Sequence, residues 1–239
     1  GEPGTTGDWL PLTVMDFEAP PSALHAFLMA MEAIRAGVGI FHVERQAANY
    51  KVCGHGGGGC ERTPTEHEQV IPAIRLAAEV LNVPVVIIGR GDATHIPFLN
   101  NDDPADRPFI EGVGTDWAEQ DQGVMTFAEA QAQGYAGEWT DREVKRGENG
   151  IWTPARTRDR LYRVRNGVER AIYNLSLMAP GVDLVWEDTH DVTLEQAKVI
   201  ADGVHILGRL YRGAIAEREA TDQLIGLGIR AVFAKVMVQ

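Results

Sequence analysis

Cysteine is scarce and long apolar runs are missing from this chain. Among 239 residues the only thiols are Cys53 and Cys60. Two cysteines cannot form a disulfide scaffold in a chain of this length, so we expect a reducing, cytoplasmic location. No run of about 18 apolar residues occurs, which argues against a membrane span. The first residues show neither a basic segment nor an apolar core, so no secretory signal is expected.

Positive charge is also in short supply. The chain has 22 Lys and Arg residues against 34 Asp and Glu residues, a formal net charge of −12. Nucleic-acid binding needs clustered cations, so a nucleic-acid partner is not expected. A small anionic substrate is still compatible with this charge, because local cations hold such a ligand.

Short apolar runs alternate with longer amphipathic ones, which is typical of an α/β protein. The pattern predicts helices at 22–35, 65–81, 167–178 and 193–204. It predicts strands at 10–17, 38–43, 83–88, 182–186 and 229–236, the last after a less regular segment at 209–227. Pro72 should kink the second helix or break it.

A long polar stretch at about 91–158 interrupts this alternation. It contains several glycines and one helix-like piece near 126–135. A stretch of this length inside a compact domain is usually a functional insertion or a lid. We therefore expect one domain spanning 1–239 with an insertion or lid at about 91–158.

Ionisable residues follow four successive predicted strands. They are Asp16 and Glu18, then Glu44, then Arg90 and Asp92, then Glu187 and Asp188. In a (β/α) barrel the active site is built at the carboxyl ends of the strands. A dinucleotide-binding fold would instead need a glycine-rich turn after the first strand, where Ala19, Pro20 and Pro21 stand. The sequence therefore predicts a TIM-type (β/α) barrel.

Four of these acids are expected to converge on one mouth: Asp16, Glu18, Glu44 and Glu187. Carboxylates that meet in a cleft repel one another unless a cation lies among them. Hard oxygen ligands suit Mg²⁺, with Mn²⁺ as the alternative. The competing interpretation is that one or two of these acids are solvated residues at strand ends.

A glycine-rich loop after the second strand carries Lys51, Cys53 and His55. A thiol flanked by Lys and His should have a lowered pKa and could act as nucleophile or general acid. A loop cysteine without a role is one alternative. Zinc binding by Cys53, His55 and Cys60 is another, although the spacing matches zinc patterns poorly. The glycine run 56–59 suits a segment that opens and closes over a ligand.

Arg90 ends an apolar strand and is a natural clamp for a carboxylate, because its guanidinium binds such groups with two parallel hydrogen bonds. Asp92 could instead hold Arg90 in a structural ion pair. His42, on a buried strand, is predicted to be a hydrogen-bonded core residue.

Several motifs in fixed order resemble those of isocitrate lyases. Residues 51–55, Lys-Val-Cys-Gly-His, resemble the family's Lys-Lys-Cys-Gly-His signature. Residues 15–19 resemble its Asp-x-Glu-Ala metal strand, and 39–46 its strand ending in His-x-Glu-Asp-Gln. Further resemblances lie at 88–93, 106–110, 165–169 and 183–187, so that the similarity covers roughly 9–204.

The resemblance implies an Mg²⁺-dependent carbon–carbon lyase that cleaves isocitrate to succinate and glyoxylate, as in the glyoxylate cycle. Metal ligands would be Asp16, Glu18 and Glu44. Catalytic residues would be Cys53, His55 and Lys51, with Cys53 protonating the succinate carbanion. Substrate-binding residues would be Arg90, Gly54 and Glu187. The partners implied are a small di- or tricarboxylate and further copies of the chain in a homo-oligomer.

The chain also departs from the family, so we expect a truncated or divergent member. The family's first two barrel strands, its succinate-binding Asn-x-Ser-Pro-Ser motif and its C-terminal helices have no counterpart in this sequence. Two further readings follow: a catalytically impaired, lyase-like binding or assembly subunit, and a related 2-methylisocitrate or oxaloacetate lyase.

Overall fold

The computed structural model describes residues 13–51, 58–189 and 193–206. The α-helices are α1 (Ala23–Arg35), α2 (Pro64–Leu81), α3 (Phe127–Ala132), α4 (Val168–Met178) and α5 (Leu194–Ile206). The strands are β1 (Thr13–Phe17), β2 (Val38–Glu44), β3 (Cys60–Glu61), β4 (Val86–Gly91), β5 (Phe98–Leu99), β6 (Glu111–Asp116), β7 (Asp121–Thr126), β8 (Ala136–Trp139), β9 (Val144–Arg146), β10 (Gly150–Pro154), β11 (Tyr162–Arg163) and β12 (Leu184–Glu187). Short 3₁₀ turns lie at Ala48–Tyr50 and Arg107–Phe109. Within these ranges no helix is both long enough and apolar enough to cross a membrane.

A four-stranded parallel sheet in the order β1-β2-β4-β12 organises the chain. Its strands follow one another in the same order in space and in sequence. A doubly wound sheet reverses direction at a switch point, whereas a (β/α) barrel adds each strand beside the previous one. The described sheet is therefore an arc of a (β/α) barrel, as the sequence predicts.

One face of the sheet packs against helices. Phe17, Phe41 and Ile87 pack with small residues of α1 and with α2 in one core cluster. Helices α4 and α5 pack around Val185 in a second cluster. Alternate residues of each strand point to the opposite face, and that face carries the polar side chains described below.

The predicted helix boundaries are close to the observed ones. The Ser22 side chain caps α1 by accepting the backbone N–H of His25, and Thr63 and Glu66 form a reciprocal capping box at α2. Strand β4 lies three residues later than predicted and includes Arg90. The predicted final strand at 229–236 and the segment 209–227 lie outside the described residues.

The predicted break at Pro72 does not occur, because α2 runs as one helix from Pro64 to Leu81, whereas the alternative of a kink stays a prediction. Pro72 is exposed, so the carbonyl four residues before it, which gains no helical hydrogen bond, can bond water instead. Val70, Ile71 and Ile74 are buried against the sheet and hold both halves of the helix in place.

The interrupting stretch is structured rather than irregular. Strands β6, β7 and β10 form an antiparallel sheet, and β8 pairs with β9. The predicted helix-like piece is α3, capped by Thr126. A separate core cluster that includes Phe127, Trp152 and Tyr162 fills this unit. Whether it acts as a lid stays a prediction.

Candidate functional site

The register of the parallel sheet places five polar or aromatic side chains on the face opposite the helices. Asp16 pairs with His42, Glu44 pairs with Arg90, and Arg90 pairs with Trp186. Paired residues of neighbouring strands point to the same face, and so do residues two apart on one strand. Because Asp16, Glu44 and Arg90 stand at or near the carboxyl ends of their strands, they share one rim, which we call the mouth.

Asp16 is held by a histidine. Nδ1 of His42 lies 3.2 Å from Oδ1 of Asp16, and the His42 ring stacks on Trp186 with centroids 4.3 Å apart. The hydrogen bond from His42 lowers the pKa of Asp16, with smaller contributions from Arg90 and Lys51 that oppose burial. His42 is buried as predicted, and it also orients the carboxylate of Asp16. Its position two residues before Glu44 indicates from the sequence that both side chains lie on one face of the strand.

Glu44 is fully buried between two cations. Arg90 donates from Nη1 to Oε1 at 2.8 Å, and the ammonium of Lys51 lies 2.7 Å from Oε2. The same ammonium lies 3.9 Å from Oε1 of Glu18, whose side chain is exposed. Lys51 therefore stands between two of the three predicted metal ligands.

Arg90 makes a dense set of charged contacts. Its Nε and Nη2 donate to Oδ1 of Asp92 at 3.0 and 2.8 Å, and Nη2 also donates to Asp188. The guanidinium lies over the Trp186 ring, 5.6 Å from its centroid. Burial opposes the charge on Arg90, but Asp92, Glu44 and Asp188 outweigh it and raise its pKa. The structural ion pair with Asp92 is present, so a substrate carboxylate would have to share Arg90 with these acids.

Glu187 does not join this group. It pairs with Gly91 on the helix-facing side, where a Cβ on Gly91 would meet the Glu187 carboxylate and Leu175. Its Oε1 accepts the backbone N–H of Thr94 at 2.8 Å. The next residue, Asp188, faces the mouth and binds Arg90. The predicted place of Glu187 is thus taken by its neighbour, because the alternation of side chains along β12 decides which acid faces inward.

Buried acids lie behind the mouth. Burial raises the pKa of Asp92 to about 7, and burial with the nearby Asp92 and Glu61 raises that of Glu187 well above its usual value. Atoms of Asp92, His95 and Asp188 lie within 4.8 Å of one another. Nη2 of Arg90 donates to both Asp92 and Asp188, so the guanidinium already provides the positive charge that a metal ion would bring to this group.

The second group of possible metal ligands among the described residues consists of Asp16, His42 and Glu44, whose candidate ligand atoms also lie within 4.8 Å of one another. Asp16 has 56% of its side-chain surface exposed, so it can bind a cation from solvent. Carboxylate oxygens from two strands suit a hard divalent cation that keeps several waters. The donor set therefore fits Mg²⁺, provided that one cation partner of Glu44 gives way.

Three predicted site residues, Cys53, Gly54 and His55, lie outside the described residues. Lys51, which is described, stands directly before them and reaches the mouth through its ion pair with Glu44.

Comparison with known proteins points to one family. The model of the isocitrate lyase family matches residues 8–148. Isocitrate lyase of Mycobacterium tuberculosis is 31% identical over 199 residues, covering 82% of this chain and 37% of that protein. Isocitrate lyase of Salmonella typhimurium is 32% identical over 199 residues, covering 82% of this chain and 36% of that protein. The chain thus spans little more than a third of the length of these relatives.

Solved structures show the same fold. A structure of oxaloacetate acetylhydrolase with the inhibitor 3,3-difluorooxalacetate matches with a TM-score of 0.53 at 14% identity, covering 94% of this chain and 53% of that chain. A structure of 2,3-dimethylmalate lyase, described as a PEP mutase/isocitrate lyase superfamily member, matches with a TM-score of 0.51 at 14% identity, covering 93% and 52%. At this identity the likeness concerns the fold alone.

Proposed function

Because this chain belongs to the isocitrate lyase family, we propose that it is a carbon–carbon lyase that cleaves isocitrate to succinate and glyoxylate. The observation that supports this activity is the grouping of Asp16, Glu44, Arg90 and Lys51 at one rim of the sheet. These groups combine acids that can hold a divalent cation with cations that can bind carboxylates. A cytoplasmic location, homo-oligomeric assembly and a role in the glyoxylate cycle belong to the same proposal.

In this proposal Asp16 and Glu44, with Glu18 through water, hold Mg²⁺ or Mn²⁺. When bound there, a divalent cation would supply Lewis-acid polarisation to the hydroxyl and carboxylate that become glyoxylate. His42 keeps Asp16 ionised and oriented through its hydrogen bond. Arg90, fixed by Asp92 and Asp188, offers positive charge to a substrate carboxylate at the mouth.

The reaction is a retro-aldol cleavage. The hydroxyl proton passes to water at the mouth and the oxygen becomes the carbonyl of glyoxylate as the carbon–carbon bond breaks, while the bonding electrons stay on the succinate carbon. We propose that Cys53 donates a proton to that carbon, that His55 and Lys51 tune the thiol, and that Gly54 contacts substrate. Glu187, on the helix-facing side, is proposed to support the mouth from behind rather than to bind substrate.

Two other functions stay open for a chain that spans about a third of its relatives. A lyase-like binding or assembly subunit is favoured by the state of Glu44, since both of its oxygens are already paired with cations. A related lyase acting on 2-methylisocitrate or oxaloacetate would use the same metal and arginine.

One assay separates these functions. The protein is incubated with Mg²⁺ and isocitrate, and glyoxylate is trapped as its hydrazone. We expect a product that is lost in Cys53→Ser and in Asp16→Asn but retained in the control Lys145→Met, whose ion pair with Glu138 lies in the insertion. No product at high enzyme concentration, despite measurable metal binding, would favour the binding subunit. Turnover of 2-methylisocitrate or oxaloacetate alone would favour the related lyase.

A further inference from the structure

The ammonium of Lys51 lies between two of the predicted metal ligands, Glu44 and Glu18. It lies 2.7 Å from Oε2 of Glu44 and 3.9 Å from Oε1 of Glu18. We propose that Lys51 is a built-in counter-ion that competes with a divalent cation for Glu44, so that metal binding displaces its ammonium. This inference rests on the proposed function, because it takes the metal site as its starting point.

The burial of Glu44 explains why a counter-ion is needed. Its carboxylate is fully buried at the mouth, at the carboxyl end of β2. A buried carboxylate without a partner is strongly unfavourable, so the metal-free protein must neutralise it. Arg90 pairs with one oxygen and Lys51 with the other. A divalent cation at either oxygen would come close to one of these two positive groups, and charge repulsion opposes holding both there.

Lys51 is the partner that can leave. Arg90 is tied to Asp92 and Asp188 as well as to Glu44, it lies over Trp186, and only 9% of its side chain is exposed. The Lys51 side chain is 18% exposed, twice that fraction. Its long, flexible stem lets the ammonium move into solvent. Repulsion between the ammonium and a divalent cation so close together favours that movement.

Competition of this kind has a direct consequence for affinity. The ion pair of Lys51 with Glu44 and the binding of metal to Glu44 are mutually exclusive, so each weakens the other by the same factor. Removing the ammonium should strengthen metal binding. A lysine that merely supported Glu44 as a metal ligand would have the opposite effect, because its removal would weaken binding.

The test measures Mn²⁺ binding to the full chain by calorimetry and melting temperature with and without Mn²⁺. For Lys51→Met we expect a dissociation constant about tenfold lower than in the wild type, within the usual range for coupled sites. We expect its metal-free melting temperature to fall, and saturation with Mn²⁺ to restore it. Lys51→Arg, which keeps the charge, should bind Mn²⁺ as weakly as the wild type. Lys145→Met is the matched control for loss of a lysine and should change neither value.

The outcomes separate the two proposals. If the wild type binds Mn²⁺, Asp16→Asn abolishes binding, and Lys51→Met binds equally well or more weakly, then the role of Lys51 is refuted and the metal site stands. If neither the wild type nor Lys51→Met binds Mn²⁺ while both remain folded by circular dichroism, both proposals fail. Binding by Lys51→Met alone would support the competition most strongly.

Discussion

Two adjacent acids at the end of β12 have opposite surroundings. Asp188 faces the mouth and binds Arg90, whereas Glu187 faces α4, with an oxygen close to Gly91 and a raised pKa. A raised pKa favours the neutral carboxyl group, which an amide resembles in shape and charge. The two residues should therefore respond very differently to the same kind of substitution.

We predict that Asp188→Asn reduces kcat/KM for the cleaved acid by about tenfold or more, because it removes a charged hydrogen bond that positions Arg90. Glu187→Gln should leave kcat/KM within about twofold, because the raised pKa of Glu187 disfavours its charged form and the amide keeps an oxygen that can accept the Thr94 N–H. Steady-state kinetics of both variants provide the measurement. A loss in Glu187→Gln that matched the loss in Asp188→Asn would contradict the orientation of β12.

His67 should make stability depend on pH. It is buried in α2, and burial, followed by the charges of Arg62 and Arg45, holds its pKa well below 6.5. The unfolded chain binds a proton at His67 near pH 6.5 and the folded protein does not. The contribution of His67 to the free energy of unfolding is therefore fully present above that pH. As the pH falls below it, this free energy decreases by up to about 1.4 kcal/mol per pH unit.

The measurement is urea unfolding between pH 5 and 7.5. We expect the free energy of unfolding of the wild type to fall towards pH 5 more steeply than that of His67→Gln. His25, which is exposed at the start of α1, offers His25→Gln as the control for loss of a histidine outside the core. Equal slopes for the wild type and His67→Gln would show that His67 is not the responsible group.

At the scale of single elements, α2 contains an avoidable defect. Pro72 lies on the exposed face of the helix and cannot donate a hydrogen bond to the carbonyl of Glu68. Neighbouring buried residues keep the helix continuous despite this loss. The stability of the helix thus comes from its packing rather than from unbroken hydrogen bonding.

We predict that Pro72→Ala raises the free energy of unfolding by about 1–3 kcal/mol, because it restores the hydrogen bond and removes a steric clash. The greater freedom of the unfolded chain offsets part of this gain. Chemical denaturation checks the sign. Ala73→Gly, at the next position, should lower the free energy of unfolding by about 1 kcal/mol. This variant shows how strongly overall stability responds to a change within α2. A lower stability for Pro72→Ala would mean that the proline geometry is required.

At the scale of the whole molecule, the chain has more than one core. The sheet and its helices pack in two clusters, and the insertion packs in a third around Phe127, Trp139 and Trp152. Separate cores can open separately, because stability is not uniform across a structure. The mouth is built on the sheet and depends on the first two clusters.

We predict that Trp152→Ala destabilises the insertion by about 3–5 kcal/mol, the usual cost of removing a buried aromatic side chain. Hydrogen exchange followed by mass spectrometry should then show faster exchange in β6, β7 and β10, with β2 and β4 unchanged. Phe41→Ala, in the sheet core, should instead give faster exchange in β2 and β4, with β6, β7 and β10 unchanged. Uniformly faster exchange in Trp152→Ala would indicate one cooperative unit.

Much of the fold could be predicted from the sequence. The order and type of the main elements follow from apolar periodicity, and the predicted helix starts at 22 and 65 lie one residue from the observed starts of α1 and α2. Boundaries were less accurate where strands met polar residues, as at β4. The stretch at about 91–158 differs from its surroundings in length and polarity, and its being an insertion stays a prediction. Its strand pairing could not be predicted, because antiparallel register is set by contacts between distant residues.

The sequence by itself determined which chemistry the mouth can have, because acids and an arginine that follow successive parallel strands are brought to the same end of the sheet. Only the tertiary structure decided which of them do meet. Side-chain alternation chose Asp188 over Glu187, and the register placed His42 against Asp16. Ion pairing brought Lys51 onto Glu44. These choices depend on distances between residues far apart in the chain, which the spacing of residues along it does not contain.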